Sequence, residues 1–265
     1  MNQGRNYNET KAFSFLSKVS NEKTLQTREV LKVLKNLKKR SSFLDIGAGS
    51  GDIFFNIADK FKEAIAVEPG KRMIEILHKK MDKKINMDTK VIPLDWERFY
   101  KENNKEFRGH FNLIIGIHII YFLKNPVKEI KKMLSLLDEG GALIIVYSYP
   151  KNIRADFVSK FRNYFFKSPY SRSRAYSLIK EQFKGNSTTK FIESKFILQD
   201  FKDLEIDHLS KKSAPTNYFL KFSIKKWFDE LSPKDKKALL NYLTPLKKGD
   251  KYVIENRQAV HIIKK

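Results

Sequence analysis

The residues best suited to chemistry stand where short apolar runs end. Phe43-Leu44-Asp45-Ile46-Gly47-Ala48-Gly49-Ser50-Gly51-Asp52 leads from an apolar stretch into alternating glycines. Glycines let a chain turn tightly and let a ligand lie against the backbone, and a helix starting behind them offers free N–H groups. The spacing is G-x-G-x-G, with Asp52 where the dinucleotide fingerprint G-x-G-x-x-G carries its last glycine. A pyrophosphate would meet a carboxylate there, whereas a cationic ligand would be drawn to it. Glu68 follows about 20 residues on, where an acid holds the two hydroxyls of a ribose. Asp95, beside Trp96, closes a third apolar run. An acid in that place accepts from an adenine amino group, and an aromatic neighbour stacks on the ring. Taken singly, Asp45 also fits a turn former, Glu68 a solvated strand end and Asp95 a loop cap. Acids at the ends of successive strands, with the glycine loop between them, point together to a ligand bound at the carboxyl edge of a sheet.

The elements that must position these residues follow from hydrophobic periodicity. Residues 20–40 read as a helix with Leu25, Val30, Leu31, Val33, Leu34 and Leu37 on a broad apolar face. Ser42 to Ile46 reads as a buried strand, Asp52 to Phe61 as a helix, Ala64 to Val67 as a strand and Lys71 to Met81 as a helix. Lys90 to Leu94 and Phe111 to Ile117 read as strands, Val127 to Leu137 as a helix ended by Gly140-Gly141, and Ala142 to Tyr147 as a strand. This alternation predicts an α/β fold with a parallel sheet covered on both faces. Beyond residue 150 the pattern is less regular. Ile192 to Phe201 reads as a helix, Leu204 to Leu209 and Ala259 to Ile263 as strands, and Ser232-Pro233 as a helix start with Ser at the N-cap and Pro at N1. The chain reads as a single domain over 1–265, with an N-terminal cap at 1–40, a ligand-binding core at 41–150, and a substrate-side insertion with C-terminal strands at 151–265.

Composition narrows the chemistry. The 265-residue chain has no cysteine, which excludes disulfides, thiolate metal sites, iron–sulfur centres and cysteine nucleophiles. His78, His110, His208 and His261 show no metal-ligand spacing, so no metal site is expected. Apolar runs are strand-length, well short of the roughly 20 residues of a membrane span, and the polar start of the chain has no signal-peptide core, which makes a cytoplasmic protein the expectation. The net charge is +23. It suits a nucleic-acid partner, and it equally suits a Lys-rich composition. Lys outnumbers Arg by 42 to 11 and is spread along the chain, whereas readers of phosphates and bases favour Arg for its planar fork.

With these motifs the sequence resembles the class I S-adenosylmethionine-dependent methyltransferases, and within them the histamine N-methyltransferase type. Val67-Glu68-Pro69-Gly70 looks like that family's ribose-binding turn. Ile114-Ile115-Gly116-Ile117-His118-Ile119-Ile120-Tyr121-Phe122-Leu123-Lys124-Asn125 looks like its fourth strand and following turn. Ser135-Leu136-Leu137, Gly140-Gly141 and Leu143 to Tyr147 continue the likeness, with weaker similarity at Ser213 to Phe219, Trp227-Phe228 and Asn256 to Ile263. The resemblance implies a Rossmann-like seven-stranded sheet with its last strand antiparallel, an N-terminal helical cap, S-adenosylmethionine as cofactor and a small amine acceptor. It implies a cofactor site of Asp45, Gly47, Gly49, Gly51, Glu68, Pro69, Met73, Asp95, Trp96 and Ile117.

On the acceptor side, His118 stands where the family places a polar side chain that contacts substrate. That side chain is an amide in the family, so His118 is a departure. It suits either binding the acceptor or taking its proton, and a histidine satisfied by backbone at a strand end is the alternative. Tyr121 is placed beside it as a catalytic candidate, and Tyr121 and Phe122 fit either a pocket wall or core packing. Glu22 stands where the family sets an acid against a cationic substrate, and it also reads as a solvated acid at a helix start. Tyr7, Phe13 and Phe15 fit an apolar lid or a docked N-terminal arm. Asn256 stands where the family presents an amide to the substrate, or is a turn residue.

An RNA or other macromolecular substrate is the alternative function. Its support is the basic, aromatic stretch from Arg154 to Arg174, with Phe157, Phe161, Tyr164, Phe165, Phe166 and Tyr170: aromatics stack on bases and cations follow phosphates. Those at 157, 161, 164 and 165 have helical spacing, which one core-facing helix explains. Base-amino methyltransferases show an Asn/Asp-Pro-Pro-aromatic turn after the fourth strand, and this chain has Gly116-Ile117-His118-Ile119 there. A cofactor-binding subunit without catalysis is the third reading.

Overall fold

The computed structural model describes residue 17 and residues 19–81, 88–166, 173–199, 215–228 and 230–265. Strands β1 (Ser42–Ile46), β2 (Glu63–Val67), β3 (Asp88–Ile92), β4 (Phe111–Ile117) and β5 (Leu137–Ser148) pair in parallel. The sheet is completed by β6 (Ser187–Gln199) and β8 (Lys251–Lys264), in the order β3-β2-β1-β4-β5-β8-β6, with the two-residue β7 (Lys247–Lys248) on β8. Strand β8 is antiparallel to both β5 and β6. The fold is thus the expected Rossmann-like α/β sheet of seven main strands, with the antiparallel strand inserted second from the edge.

Every residue of β1 is buried, as in a parallel strand covered on both faces. Alternate side chains feed two cores. Leu44, Ile46, Ile65, Ile114 and Ile145 pack on one face with Trp96 and Phe99 of α4 (Trp96–Asn103) and Ile130 and Met133 of α5 (Pro126–Leu136). Phe43, Ala64, Leu113, Ile115 and Ile144 pack on the other with Val30, Val33 and Leu34 of α1 (Glu22–Leu34) and with α2 (Phe54–Ile57). Leu77 of α3 (Lys71–Met81) joins that second face. The predicted helix from Asp52 to Phe61 is shorter than expected, being α2 followed by a 3₁₀ turn at Ala58–Lys60. Asn125 caps α5 by accepting from the Lys128 N–H at 3.1 Å, with Pro126 at its start. Gly140-Gly141 does not end that helix: β5 begins at Leu137 directly after it, and the glycines lie within the strand.

A third core lies where β6 and β8 run on beyond the parallel strands. Phe196, Leu198 and Ile254 pack there against α6 (Ile153–Phe166), α8 (Pro215–Ile224) and α9 (Pro233–Leu243), while α7 (Ser173–Gln182) sends Ile179 into the first core. The helix expected over 192–201 is, as far as Gln199, part of strand β6, and residues 200 and 201 lie outside the described residues. Ile192, Ser194, Phe196 and Leu198 are buried while Phe191, Glu193, Lys195 and Ile197 are exposed, a period of two imposed by pairing along β8. The strand expected at Ala259 to Ile263 is the end of the longer β8, and the one at Leu204 to Leu209 lies outside the described residues. Ser232 caps α9 as expected, accepting from the Asp235 N–H at 3.2 Å. No helix among the described residues is long and apolar enough to cross a membrane.

The strand register makes a direct prediction for β6. Phe196→Ala, at a residue 1% exposed, should cost about 3–5 kcal/mol in urea denaturation. Ile197→Ala, at a residue 48% exposed, should cost less than about 1 kcal/mol.

Candidate active site

The glycine loop leaves β1 at the carboxyl edge of the sheet. Gly47 has φ 72° and hydrogen-bonds through its N–H to Val67 O at 2.7 Å. A Cβ there would stand 2.6 Å from Ile119 Cγ2. Gly51 has φ 74°, and a Cβ would meet Phe55 and Leu77 at 2.5–2.6 Å. Both positions therefore need glycine for the turn and for close packing.

Glu68 ties the loop to the next strand end. Its Oε2 accepts from Gly49 N–H and its Oε1 from Gly70 N–H, both at 2.9 Å. A carboxylate has about four lone-pair sites, so each oxygen can still take a ribose hydroxyl. Met73 is buried beside this turn, and a Cβ on Gly70 would touch it. Pro69 is exposed in the same turn and Ile117 is half-buried at the end of β4.

Carboxylates surround the loop. Asp52 is bound to Ser50 Oγ and Lys80 Nζ at 2.7 Å, with Lys23 Nζ 3.7 Å away. Burial works to raise its pKa, but Lys23, Lys80 and Ser50 together hold it below the ordinary value. Asp45 is buried, and desolvation pushes its pKa up to about 7; Lys23 opposes this and the Glu68 charge adds to it. A glycine cradle rimmed by acids fits a cationic nucleoside and does not fit a pyrophosphate.

Asp95 is exposed and caps α4, its Oδ1 accepting from Arg98 N–H at 2.9 Å. Trp96 is buried in the core. Its indole N–H donates to Glu129 Oε2 at 2.8 Å and its ring packs on Tyr100, centroids 5.5 Å apart.

Opposite the glycine loop, β4 ends at His118, whose φ of 59° is unusual for a side-chain-bearing residue. The His118 N–H holds this turn by donating to Val146 O at 2.7 Å. Its ring reaches Tyr121 OH from Nδ1 at 3.4 Å and Gln26 Nε2 from Nε2 at 3.1 Å. Tyr121 OH in turn accepts from Ser148 N–H at 2.6 Å. Gln26 donates to Gln258 Oε1 at 2.8 Å, and Gln258 Nε2 donates to Glu22 Oε1 at 2.5 Å. Asn256 Nδ2 also donates to Glu22 Oε1, and Asn256 Oδ1 accepts from Ser148 Oγ at 2.8 Å. The result is a closed polar ring drawn from α1, the turn after β4, the end of β5 and the middle of β8. Gln26, Ser148, Asn256 and Gln258 are at most 1% exposed.

Glu22, His118, Tyr121 and Asn256, candidates spread from residue 22 to residue 256, thus meet in one network. Phe122 is 63% exposed and is not core-packed. Tyr7, Phe13 and Phe15 lie outside the described residues. Sequence reading missed Gln26, Gln258, Ser148 and Ser194. A signal for the two glutamines existed. Gln26 follows Glu22 by four, on one helix face, and Gln258 follows Asn256 by two, on one strand face.

Residues 19–187 match the model of a family described as a methyltransferase domain. No curated protein matches the chain. A Bacillus halodurans protein described as a candidate methyltransferase superimposes with a TM-score of 0.58 at 15% identity, covering 89% of this chain and 96% of that one. The YcgJ protein of Bacillus subtilis gives 0.52 at 15% identity, over 88% and 96%. The Haemonchus contortus phosphoethanolamine N-methyltransferase 2, in complex with phosphomonomethylethanolamine and S-adenosylhomocysteine, gives 0.50 at 15% identity, over 90% of this chain and 52% of that one. At these identities the likeness speaks for the fold.

Asp45 makes stability depend on pH. The folded protein keeps its proton up to about 7 while the unfolded chain releases it near 3.8. Stability is therefore greatest below pH 4 with respect to this group and is lost as pH rises towards 7. Asp45→Asn should remove that loss. In urea denaturation the variant should gain on the wild type as pH rises from 4 to 8, by about 4 kcal/mol at most. A difference independent of pH would contradict the assignment.

Proposed function

The chain belongs to the methyltransferase domain family, as an enzyme that uses S-adenosylmethionine, and on that footing we propose that it methylates an amine nitrogen of a small molecule. The observation that carries this reading is the polar ring of Glu22, Gln26, His118, Tyr121, Ser148, Asn256 and Gln258, which lies across the β1–β4 seam from the glycine loop. Motif resemblance to the histamine N-methyltransferase type favours an amine with an attached polar group.

In this reading Glu68 holds the ribose, and Gly47, Gly49 and Gly51 form the cradle. Asp45, Pro69, Met73, Asp95, Trp96 and Ile117 complete the surroundings of the cofactor. S-adenosylmethionine supplies a methyl group already activated by its sulfonium, so the protein's task is to orient the acceptor and exclude water. Glu22 draws in a cationic acceptor. His118, Tyr121 and Asn256 border it and set the direction of its nitrogen. The amine must shed a proton to attack, and Glu22 is the member of the ring that can take it, with His118 orienting the acceptor. Tyr7 and Phe15 are the proposed apolar lid. The whole chain works as one methyltransferase domain.

Two observations weigh against a macromolecular substrate. Phe157 and Phe161 of the basic aromatic stretch are buried in the third core, not offered for stacking. The described residues also form a lysine-lined groove of about 640 Å³, bordered by Lys32, Lys38, Lys39, Lys190 and Lys264. It opens at the starts of β4 and β5, the edge of the sheet opposite His118.

Calorimetry tests the cofactor half: the wild type should bind S-adenosylmethionine, and Glu68→Ala should weaken binding by about 1–3 kcal/mol. Binding of NAD in its place would overturn the reading. Transfer of labelled methyl to a panel of small amines tests the rest. Glu22→Gln and His118→Ala should keep cofactor affinity and lose turnover by about a hundredfold. RNA binding should be weak and fall steeply with salt; a sequence-preferring gel shift at physiological salt would favour the macromolecular alternative.

A further inference from the structure

The donor and acceptor directions in the polar ring can be assigned one by one, starting from Glu22. An ionised carboxylate only accepts. Gln258 therefore turns its NH₂ group towards Glu22 Oε1, at 2.5 Å. Ser194 Oγ fixes the same choice. Its hydroxyl donates to Asn256 O at 2.7 Å, so it can only accept from Gln258 Nε2, 3.3 Å away. With its nitrogen committed, Gln258 presents Oε1 to Gln26, which must then point its own NH₂ inwards, at 2.8 Å. The same nitrogen lies 3.1 Å from His118 Nε2. An amide NH₂ group donates and does not accept, so His118 Nε2 meets it with a lone pair. The ring hydrogen then sits on Nδ1 and faces Tyr121 OH.

We propose that Gln26 is a positioning residue that holds His118 as the neutral imidazole with its hydrogen on Nδ1. A second feature supports this orientation. Gln26 Oε1 is buried without a hydrogen-bond partner among the described residues. That is a cost an amide normally avoids by flipping. Flipping here would set Gln26 Oε1 against Gln258 Oε1, so two acceptors on one side outweigh the unpaired oxygen on the other. The consequence rests on the reading of this ring as the acceptor side. A protonated His118 would bring a positive charge and a second donor against Gln26, and would oppose both a cationic acceptor and the sulfonium. The Gln26 amide keeps that charge away and returns the attraction to Glu22.

The test is nitrogen-15 NMR of the full chain labelled at histidine, without cofactor or acceptor, with the His118→Ala spectrum identifying the His118 signals. The wild type should show His118 neutral with the hydrogen on Nδ1. Gln26→Glu, which offers an acceptor of the same size, should move a hydrogen onto Nε2. Gln26→Met, similar in volume and unable to donate, should give a mixture of the two neutral forms. A wild-type hydrogen on Nε2, or the wild-type pattern persisting in both folded variants, would overturn the proposal. These signals need no turnover, so failure to bind S-adenosylmethionine would count against the functional reading and leave the tautomer result standing.

Discussion

The order of the strands reverses between β1 and β4, and the chemistry of the molecule depends on that seam. Strands β2 and β3 are laid down to one side of β1, and β4 and β5 to the other. The chain leaving β1 and the chain leaving β4 therefore depart in opposite directions, and a crevice opens at their carboxyl ends. The two faces of the sheet are filled by the two main cores, which leaves this edge as the place for polar function. Both strands make room at the seam. Ile46 lies opposite Gly116, and a Cβ on either Gly47 or Gly116 would run into Ile119. The absence of those carbons lets Ile119 fold over the seam and sets His118 beside it.

The second dependence is electrostatic. Acids line the glycine loop while the chain as a whole carries +23, so the negative character of the site is local and built. It is carried by Asp52 and Glu68 on one side and Glu22 on the other. Lys23 and Lys80 offset part of it at Asp52. Lys23 follows Glu22 in sequence, so one turn of α1 ties the glycine loop to the polar ring. Burial leaves Asp45 holding its proton near neutrality, which places a switchable charge at the base of the cradle.

Gln26, Ser148, Asn256 and Gln258 of the polar ring are buried and its other members half-buried, and a buried network tolerates little ambiguity. Its direction comes from the one member that cannot donate, Glu22, and each amide then has a single way to face. Strand register supplies the rest. Ser148 lies across from Gln258, and Ser194 from Asn256, so the antiparallel pairing of β8 with both neighbours delivers the partners in place. A β6 folded as the expected helix would have supplied no Ser194 to that pairing.

What the sequence determined by itself was the local chemistry with a short reach. The spacing of Gly47, Gly49 and Gly51, the acids at 45, 52 and 68, and the alternation of strand and helix to residue 150 are statements about neighbours along the chain, and backbone sterics and period read them directly. The helix cap at Ser232 is of the same kind. The end of the chain was harder because β6 is decided by pairing. Ile192 and Phe196 suit one face of a helix as well as of a strand, and the long match to β8 settles it. The same holds for the polar ring. Glu22, His118 and Asn256 were visible as single polar residues, each with an ordinary reading as a helix-start acid, a strand-end histidine or a turn amide. Gln26 and Gln258 carried only the spacing that sets them on the faces of Glu22 and Asn256, a signal that glutamine's usual place at the surface hides. Only the tertiary structure brings residue 26 to residues 118 and 258. Once there, out of water, each must satisfy the others, and that requirement creates a direction of hydrogen bonding that no stretch of the sequence contains.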